Sequence, residues 1–195
     1  LQARLIAGLE WVDGNVYHRV VPRQWLRNQK DGGQSLAWLS VADQSEKRRL
    51  QVHLYGVDAA NLMPLIRQLK CFFDTNADSV PIEQHLAMST DLAKLVDRFP
   101  GIRVPGTLDG FELALRAIVG QQVSVKAART LLGRIMQRCG GDIGLQNAPC
   151  PASLFRHCPG PEQVVNADLN GLGLTGRRVA TIQAMAGALL KGEVS

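Results

Sequence analysis

The sequence predicts an α+β protein, in which an antiparallel sheet with helices comes first and an all-α region follows. Three segments of the first half, residues 15–23, 35–42 and 49–57, approximate an alternation of apolar and polar side chains with a period of two. This pattern is typical of half-buried strands. The turn sequence KDGG at residues 30–33 separates the first two segments. In the second half, apolar residues recur at helical spacing between Pro and Gly breaks.

A helix is predicted directly after the third strand, over residues 59–75. Asp58 has the character of its N-cap, and an apolar stripe at helical spacing follows it. The stripe consists of Leu62, Leu65, Ile66, Leu69 and Phe73. A link that contains Ser79 and Pro81 is predicted to end the first domain, so that the expected domains cover residues 1–80 and 81–195.

The second half is predicted to consist of short helices. Asp109 is expected to cap a helix whose apolar positions include Phe111, Leu115 and Ile118. A further helix begins at Val123 or Ser124 and ends near residue 139. The other predicted elements are an amphipathic segment at residues 91–99, loops at 100–106 and 140–161, and helical segments at 162–169 and 176–191.

Composition and charge indicate a packed protein with a weak preference for polyanions. The chain has 195 residues, of which 46% are hydrophobic, and no run of eighteen apolar residues or signal peptide is evident. A soluble, cytoplasmic protein is therefore expected. The net charge of +5 is concentrated in one half: residues 1–100 carry 12 Lys and Arg against 11 Asp and Glu, whereas residues 101–195 carry 10 against 6.

The four cysteines do not form a common zinc-binding pattern. They contain no CxxC pair, and their separations match no usual zinc spacing. A metal site formed by Cys150, His157 and Cys158 is conceivable, but free thiols in a reducing cytoplasm explain the pattern better. No metal or other cofactor is expected.

Two basic stretches of the second half allow both a functional and a structural interpretation. The sequence LNGLGLTGRR at residues 169–178 fits either a phosphate clamp at a helix N-terminus or a glycine-rich connection between packed helices. The side chains of Lys126, Arg129, Arg134 and Arg138 fit either a face that binds the nucleic-acid backbone or a solvated helix face.

Local patterns do not identify an enzyme. There is no paired-carboxylate, P-loop, Rossmann or Ser-His-Asp arrangement, and Asp109, Glu162 and Asp168 lie at helix starts, where acidic residues are favoured for structural reasons. The four histidines are scattered along the chain, and each is interpreted as structural.

A longer stretch gives a more specific signal. Residues 99–135, FPGIRVPGTLDGFELALRAIVGQQVSVKAARTLLGRI, closely resemble the signature region of the 3-methyladenine DNA glycosylase II family, within the helix-hairpin-helix glycosylase superfamily. The resemblance extends over the whole chain. It implies that the first domain is the family's N-terminal α/β domain and that the second is part of its helical glycosylase domain.

The resemblance also implies an activity. Members of the family flip an alkylated base out of double-stranded DNA and hydrolyse its glycosidic bond, which requires a carboxylate to stabilise an oxocarbenium-like sugar. The implied protein is a monomeric, monofunctional base-excision repair enzyme that acts on 3-methyladenine and related alkylated bases. No metal or organic cofactor takes part in that reaction.

The catalytic residue of the family is expected to lie outside this sequence. In the family, the hairpin and the catalytic Asp follow the segment that residues 169–192 match, so the Asp is expected downstream of Ser195 and neither Asp142 nor Asp168 takes its role. The chain alone is expected to be inactive. The phosphate-clamp interpretation is withdrawn on this ground, and Arg177 and Arg178 become surface residues by default.

The expected DNA-binding residues are Gln121, Gln122, Ser124 and Lys126. The resemblance places Gln122 at the position of the residue that enters the base stack where the flipped base was, a role often filled by Leu in the family. A Gln there fills the gap and can hydrogen-bond to the orphaned base. Considered without the resemblance, Gln121 and Gln122 are polar residues of the kind found at any exposed turn.

Two other functional classes remain open from the sequence. One is a non-catalytic DNA-binding or regulatory module on the same fold, and the other is a scaffold without affinity for DNA. Binding that weakens steeply with salt distinguishes the first of these from the second.

Overall fold

The computed structural model describes residues 4–21, 37–57, 59–141 and 156–194. Several sequence predictions lie outside these residues: the turn at 30–33, the Asp58 cap, the outer ends of the first two predicted strands and most of the loop at 140–161. Asp142 and Cys150 also lie outside them. All statements below concern the described ranges.

Four antiparallel strands form a meander in the order β1-β2-β3-β4. They are β1 (Glu10–Asp13), β2 (Val16–Val20), β3 (Trp38–Gln44) and β4 (Arg49–Tyr55). The last three confirm the predicted strands. β1 was not predicted, because its four residues are too few to show an alternation. Gly14, with a φ of +54°, lies in the two-residue connection to β2, where a left-handed backbone favours glycine.

The helices follow the sheet along the chain, which confirms the α+β fold class. They are α1 (Leu62–Phe72), α2 (Ser79–Leu86), α3 (Thr90–Arg98), α4 (Gly110–Gly120), α5 (Val125–Cys139), α6 (Pro161–Val164) and α7 (Gly176–Leu190). None of these helices, within the described ranges, combines the length and apolar character that a membrane crossing requires.

The predicted link around Ser79 and Pro81 is wrong, because these residues open α2. The Asp78 carboxylate caps the helix by accepting a hydrogen bond of 3.1 Å from the Val80 amide. Pro81 lies in the first turn, where an amide has no acceptor within the helix and its loss does no harm. A proline that usually marks a break therefore marks a helix start here.

The chain divides into two compact units. One consists of residues 60–108 and contains α1 to α3, with Leu65, Leu69 and Phe72 buried. Leu65 and Leu69 belong to the predicted apolar stripe of α1, whereas its last buried member is Phe72 and not Phe73, which is only partly buried. The other unit consists of residues 1–59 and 109–195. The domain boundary expected near residue 80 stays a prediction, and that residue lies within α2.

The sheet and the last four helices build the core of the larger unit. α4 packs against α5 and α7, and α6 packs against α7. As predicted, α4 buries Phe111 and Leu115, while Ile118 is partly buried. The other core positions come from both ends of the chain: Ile6, Leu9, Val20, Trp38, Val119, Leu131, Leu132, Ile135, Met136, Val164, Leu169, Leu172, Ile182 and Ala186.

A buried ion network joins the sheet to α4 in this unit. Arg19, which is only 2% exposed, donates to Glu10 at 2.9 Å across the β1–β2 pair and also to Glu112 of α4. Arg116 completes the network by donating to Glu10 and Glu112, each at 2.7 Å. Glu112 and Arg116 are separated by one helical turn, so both side chains project from the same face of α4.

Additional hydrogen bonds keep the buried carboxylate of Glu10 ionised. It accepts from the Tyr17 hydroxyl at 2.7 Å and from the Ile6 amide at 3.0 Å. Burial alone raises the pKa of Glu10, but the charges of Arg19 and Arg116 and the hydrogen bonds from Arg116 and Tyr17 outweigh it, so the pKa lies below its ordinary value. A buried charge is tolerated only with such complete pairing.

Replacing Glu112 by Ala tests how much this network stabilises the unit. The change removes one carboxylate partner from the buried Arg19, and we expect the free energy of unfolding to fall by about 3–5 kcal/mol. Urea unfolding followed by circular dichroism measures the loss. Glu193→Ala is the control, because Glu193 forms an exposed ion pair with Lys191 at 3.9 Å, whose loss changes stability by less than roughly 1 kcal/mol. Similar losses in the two variants would contradict a stabilising role for the network.

The corner between α4 and α5 has an unusual backbone. Gly120 is the last residue of α4, Gln121 has an extended conformation with φ of −63°, and Gln122 is in the left-handed region with φ of +55°. Ser124 then caps α5 by accepting a hydrogen bond of 3.2 Å from the Ala127 amide. The two amide side chains therefore lie at a turn and interrupt no core helix, as the sequence predicted.

The left-handed conformation of Gln122 is strained. For residues with a Cβ it is less stable than the right-handed one by roughly 1–2 kcal/mol. Glycine adopts it without that strain but loses more backbone entropy on folding. The corner is therefore held in this shape by its surroundings.

Gln122→Gly and Gln121→Gly should have different effects on stability. We expect the first to leave the free energy of unfolding unchanged or raise it by up to about 1 kcal/mol, since relief of strain offsets the entropy of glycine. The second, at an ordinary φ, should lower it by about 0.5–1 kcal/mol. Urea unfolding of both variants provides the comparison, and an equal loss at the two positions would refute the left-handed corner.

Candidate nucleic-acid interface

The structure places the four predicted DNA-binding residues on one exposed stretch around the α4–α5 corner. Gln121, Gln122, Ser124 and Lys126 are all exposed. The hydroxyl of Ser124 caps α5, so its first role is structural. Among the described residues, the ammonium group of Lys126 has no ion-pair or hydrogen-bond partner, which leaves its positive charge available to an external anion.

Three basic residues of α5 bind carbonyl groups of the same unit. Arg129 Nε donates to the carbonyl of Leu5 at 2.9 Å, and Arg134 Nη1 donates to that of Leu172 at 2.8 Å. Arg138 Nη1 donates to the carbonyl of Asp168 at 2.9 Å. Each of these exposed arginines therefore ties a neighbouring segment to the helix, a role that neither interpretation of the sequence included.

The glycine-rich sequence before α7 forms a tight connection. Gly171 and Gly173 both have a positive φ, +75° and +89°. A Cβ on Gly173 would lie 2.9 Å from Nη1 of Arg134, the atom that binds Leu172. This agrees with the interpretation of the glycines as a connection between packed helices. Both glycines are required by their positive φ, and Gly173 also leaves room for the Arg134 side chain.

Arg178 is not the simple surface residue that was expected. It is half-buried, and its Nη2 donates to the carbonyl oxygen of Gln121 at 2.6 Å. Its neighbour Arg177 is exposed. Sequence reasoning missed this contact because the two partners are 57 positions apart, and the only local signal is the Thr175 cap that fixes the start of α7.

A cleft of about 200 Å³ opens beside the corner. Gly120 and Val123, which flank the two glutamines in sequence, line it together with three arginines, Arg4, Arg116 and Arg129. The rest of its wall is apolar and consists of Val125, Ala128 and Leu132. A cleft that combines guanidinium groups with an apolar wall is suited to a ligand with an anionic part and an apolar part.

Four acidic residues of the larger unit have structural roles. Asp109 caps α4 by accepting from the Glu112 amide at 2.8 Å, as predicted, and Asp168 accepts from the Asn170 amide at 3.0 Å. Glu10 and Glu112 are held in the buried ion network. In the described ranges, His, Cys, Asp and Glu form no cluster of three or more that is arranged to hold a metal ion.

Comparisons with known proteins agree on one family. The sequence model of the AlkA N-terminal domain matches residues 1–109. A probable bifunctional transcriptional activator/DNA repair enzyme AlkA of Mycobacterium tuberculosis is 29% identical over 189 residues, which are 97% of this chain and 35% of that protein. DNA-3-methyladenine glycosylase 2 of Escherichia coli is 36% identical over 104 residues, 52% of this chain and 35% of that protein. The chain thus spans about a third of the length of these relatives.

Solved structures share the fold. A 3-methyladenine DNA-glycosylase from Archaeoglobus fulgidus superposes with a TM-score of 0.71 at 22% identity, covering 91% of this chain and 57% of that one. An 8-oxoguanine glycosylase/lyase from Clostridium acetobutylicum superposes with a TM-score of 0.62 at 13% identity, covering 98% and 69%. With the AlkA N-terminal domain accounting for more than half of its residues, the chain belongs to the 3-methyladenine DNA glycosylase II family.

Proposed function

We propose that the chain is part of a base-excision repair glycosylase that removes 3-methyladenine and related alkylated bases from double-stranded DNA. Membership of the family carries this proposal, and the name of the Escherichia coli relative supplies the lesion class. The exposed, strained corner at Gln122 agrees with it, because strained backbone is common where a protein contacts a ligand.

The corner supplies the contact that base flipping requires. A base that leaves the stack must be replaced by a side chain, or the duplex recloses. Gln122 is exposed, and its left-handed backbone would direct the side chain towards DNA bound at this surface. Its amide can hydrogen-bond to the unpaired base opposite the lesion, which an apolar side chain cannot do.

Electrostatic contacts would complete the interface. Lys126 lies in the first turn of α5 with a free ammonium group, and the cleft that contains guanidinium groups is lined by Gly120 at the end of α4. We propose that Lys126 binds a phosphate near the lesion and that Gln121 and Ser124 make polar contacts with the DNA backbone.

The chemistry is proposed to need no cofactor. Alkylation makes the base cationic and a good leaving group, so the enzyme mainly stabilises the developing sugar cation with a carboxylate while water attacks. The carboxylates of Asp109, Glu10 and Glu112 are engaged in structural contacts, and we assign none of them to catalysis. A monomeric, monofunctional enzyme that acts in the cytoplasm, where bacterial DNA is found, follows from the same proposal.

Gln122→Ala and Lys126→Ala should weaken binding of the full-length protein to a lesion duplex in different ways. Loss of Gln122 should cost roughly tenfold in affinity, selectively for the lesion, without changing the salt dependence. Loss of Lys126 should weaken lesion and undamaged duplexes alike and reduce the slope of log K against log salt by about 0.9. Fluorescence anisotropy at several salt concentrations measures both, and equal losses with equal slopes would disprove the wedge assignment.

An excision assay distinguishes a glycosylase from a non-catalytic DNA-binding module. The full-length protein should release methylated bases from alkylated double-stranded DNA in the presence of EDTA, because the proposed reaction uses no metal. Binding to a lesion duplex without any base release would instead favour the regulatory module. The Gln122→Gly variant, which lacks the proposed wedge side chain, should release bases more slowly than the wild type at limiting DNA concentration.

A further inference from the structure

We infer that Arg178 is a positioning residue, which holds the α4–α5 corner in the conformation that presents Gln122 to DNA. This inference rests on the proposed function and adds to it a residue that does not itself need to touch the DNA. The starting observation is the hydrogen bond of 2.6 Å from Arg178 Nη2 to the carbonyl oxygen of Gln121.

The acceptor of this bond controls the backbone of Gln122. The Gln121 carbonyl and the Gln122 amide belong to one planar peptide group. The orientation of that plane relative to α5 sets the φ angle of Gln122, which is +55°. A donor that fixes the carbonyl oxygen therefore fixes the strained conformation, and a charged donor does so more strongly than a neutral one.

The start of α7, from which the Arg178 side chain projects, is held in place by several hydrogen bonds. Its amide donates to the hydroxyl of the Thr175 cap at 3.3 Å, which sets the first turn of α7. The connection before α7 is tied to α5 by the bonds from Arg134 to Leu172 and from Arg138 to Asp168. The Arg178 guanidinium therefore contacts the corner from a helix whose first turn is fixed, and a precise contact requires such support.

The corner has little other support of this kind. The hydrogen bond from the Gln121 amide to the Ile118 carbonyl is long, at 3.4 Å. Gln121 and Gln122 are exposed, so packing contributes little to their conformation. Loss of the Arg178 contact should consequently allow Gln122 to relax towards an ordinary φ and turn its side chain away.

The adjacent Arg177 offers a matched control. It carries the same charge on the same turn of α7 but is exposed. The Thr181 hydroxyl donates to its backbone carbonyl at 2.9 Å, a bond that does not involve the Arg177 side chain. Arg177→Ala and Arg178→Ala therefore remove the same charge from almost the same place. Only the second removes the contact to the corner.

The test measures DNA affinity of the full-length protein with Arg177→Ala, Arg178→Ala and Arg178→Lys, each with and without Gln122→Gly. We expect Arg178→Ala to weaken binding to a lesion duplex roughly tenfold, because the corner then adopts the conformation that presents Gln122 only about one tenth of the time. Arg177→Ala should have a smaller effect that is equal for lesion and undamaged duplexes. Arg178→Lys keeps a donor and should show an intermediate loss. In the Gln122→Gly background, Arg178→Ala should change affinity by less than about twofold.

Amide NMR signals of residues 120–124 follow the corner without DNA. They should shift in Arg178→Ala and not in Arg177→Ala. Equal effects of the two substitutions, or a tenfold loss that persists with Gln122→Gly, would overturn the positioning role. Equal binding of the wild-type protein to lesion and undamaged duplexes would overturn the proposed function. The inference about Arg178 is tested separately by NMR, and unchanged signals in Arg178→Ala would overturn it.

Discussion

The buried ion network of Glu10, Arg19, Glu112 and Arg116 is the interaction on which the larger unit depends. It joins the first two strands to α4, although Glu112 is 93 positions from Arg19 along the chain. Two guanidinium groups and two carboxylates pair with one another, and all of them except Arg116, whose side chain is 23% exposed, are almost completely buried. Such a network favours one arrangement strongly, because any displacement leaves a buried charge without its partner. It therefore fixes α4, and with it the position of the corner at the end of that helix.

The basic character of the second half serves the fold more than a ligand. Arg129, Arg134, Arg138 and Arg178 each donate to a main-chain carbonyl, and these carbonyls belong to turns and loops that have no regular partner. An arginine satisfies such a group while keeping the rest of its guanidinium near solvent. A net charge of +5 thus overstates the positive surface available to DNA, and the exposed Lys126 becomes more informative than the larger number of arginines around it.

The sequence was sufficient for the elements with clear periodicity and for the corner. The strands at residues 16–20, 38–44 and 49–55 and the cap at Asp109 were readable because their signals are local. β1 was too short to show a period, and α2 was missed because Pro81 in a first turn looks the same as a proline that ends a helix. Local reading cannot recover a contact such as Arg178 with Gln121, since the partners meet only after α4 and α7 have packed.

The strain at Gln122 is informative about function because a simpler solution existed. Glycine adopts a φ of +55° without steric cost, so a requirement for the turn alone favours glycine at this position. A glutamine there supports the proposal that a side chain is needed on the exposed tip of the corner. The contact from Arg178 offsets part of that strain in the free protein. If the Gln122 side chain enters DNA, its backbone already has the required conformation in the free protein. Binding then does not have to supply the free energy of that conformation, so the contacts with the lesion contribute more fully to affinity.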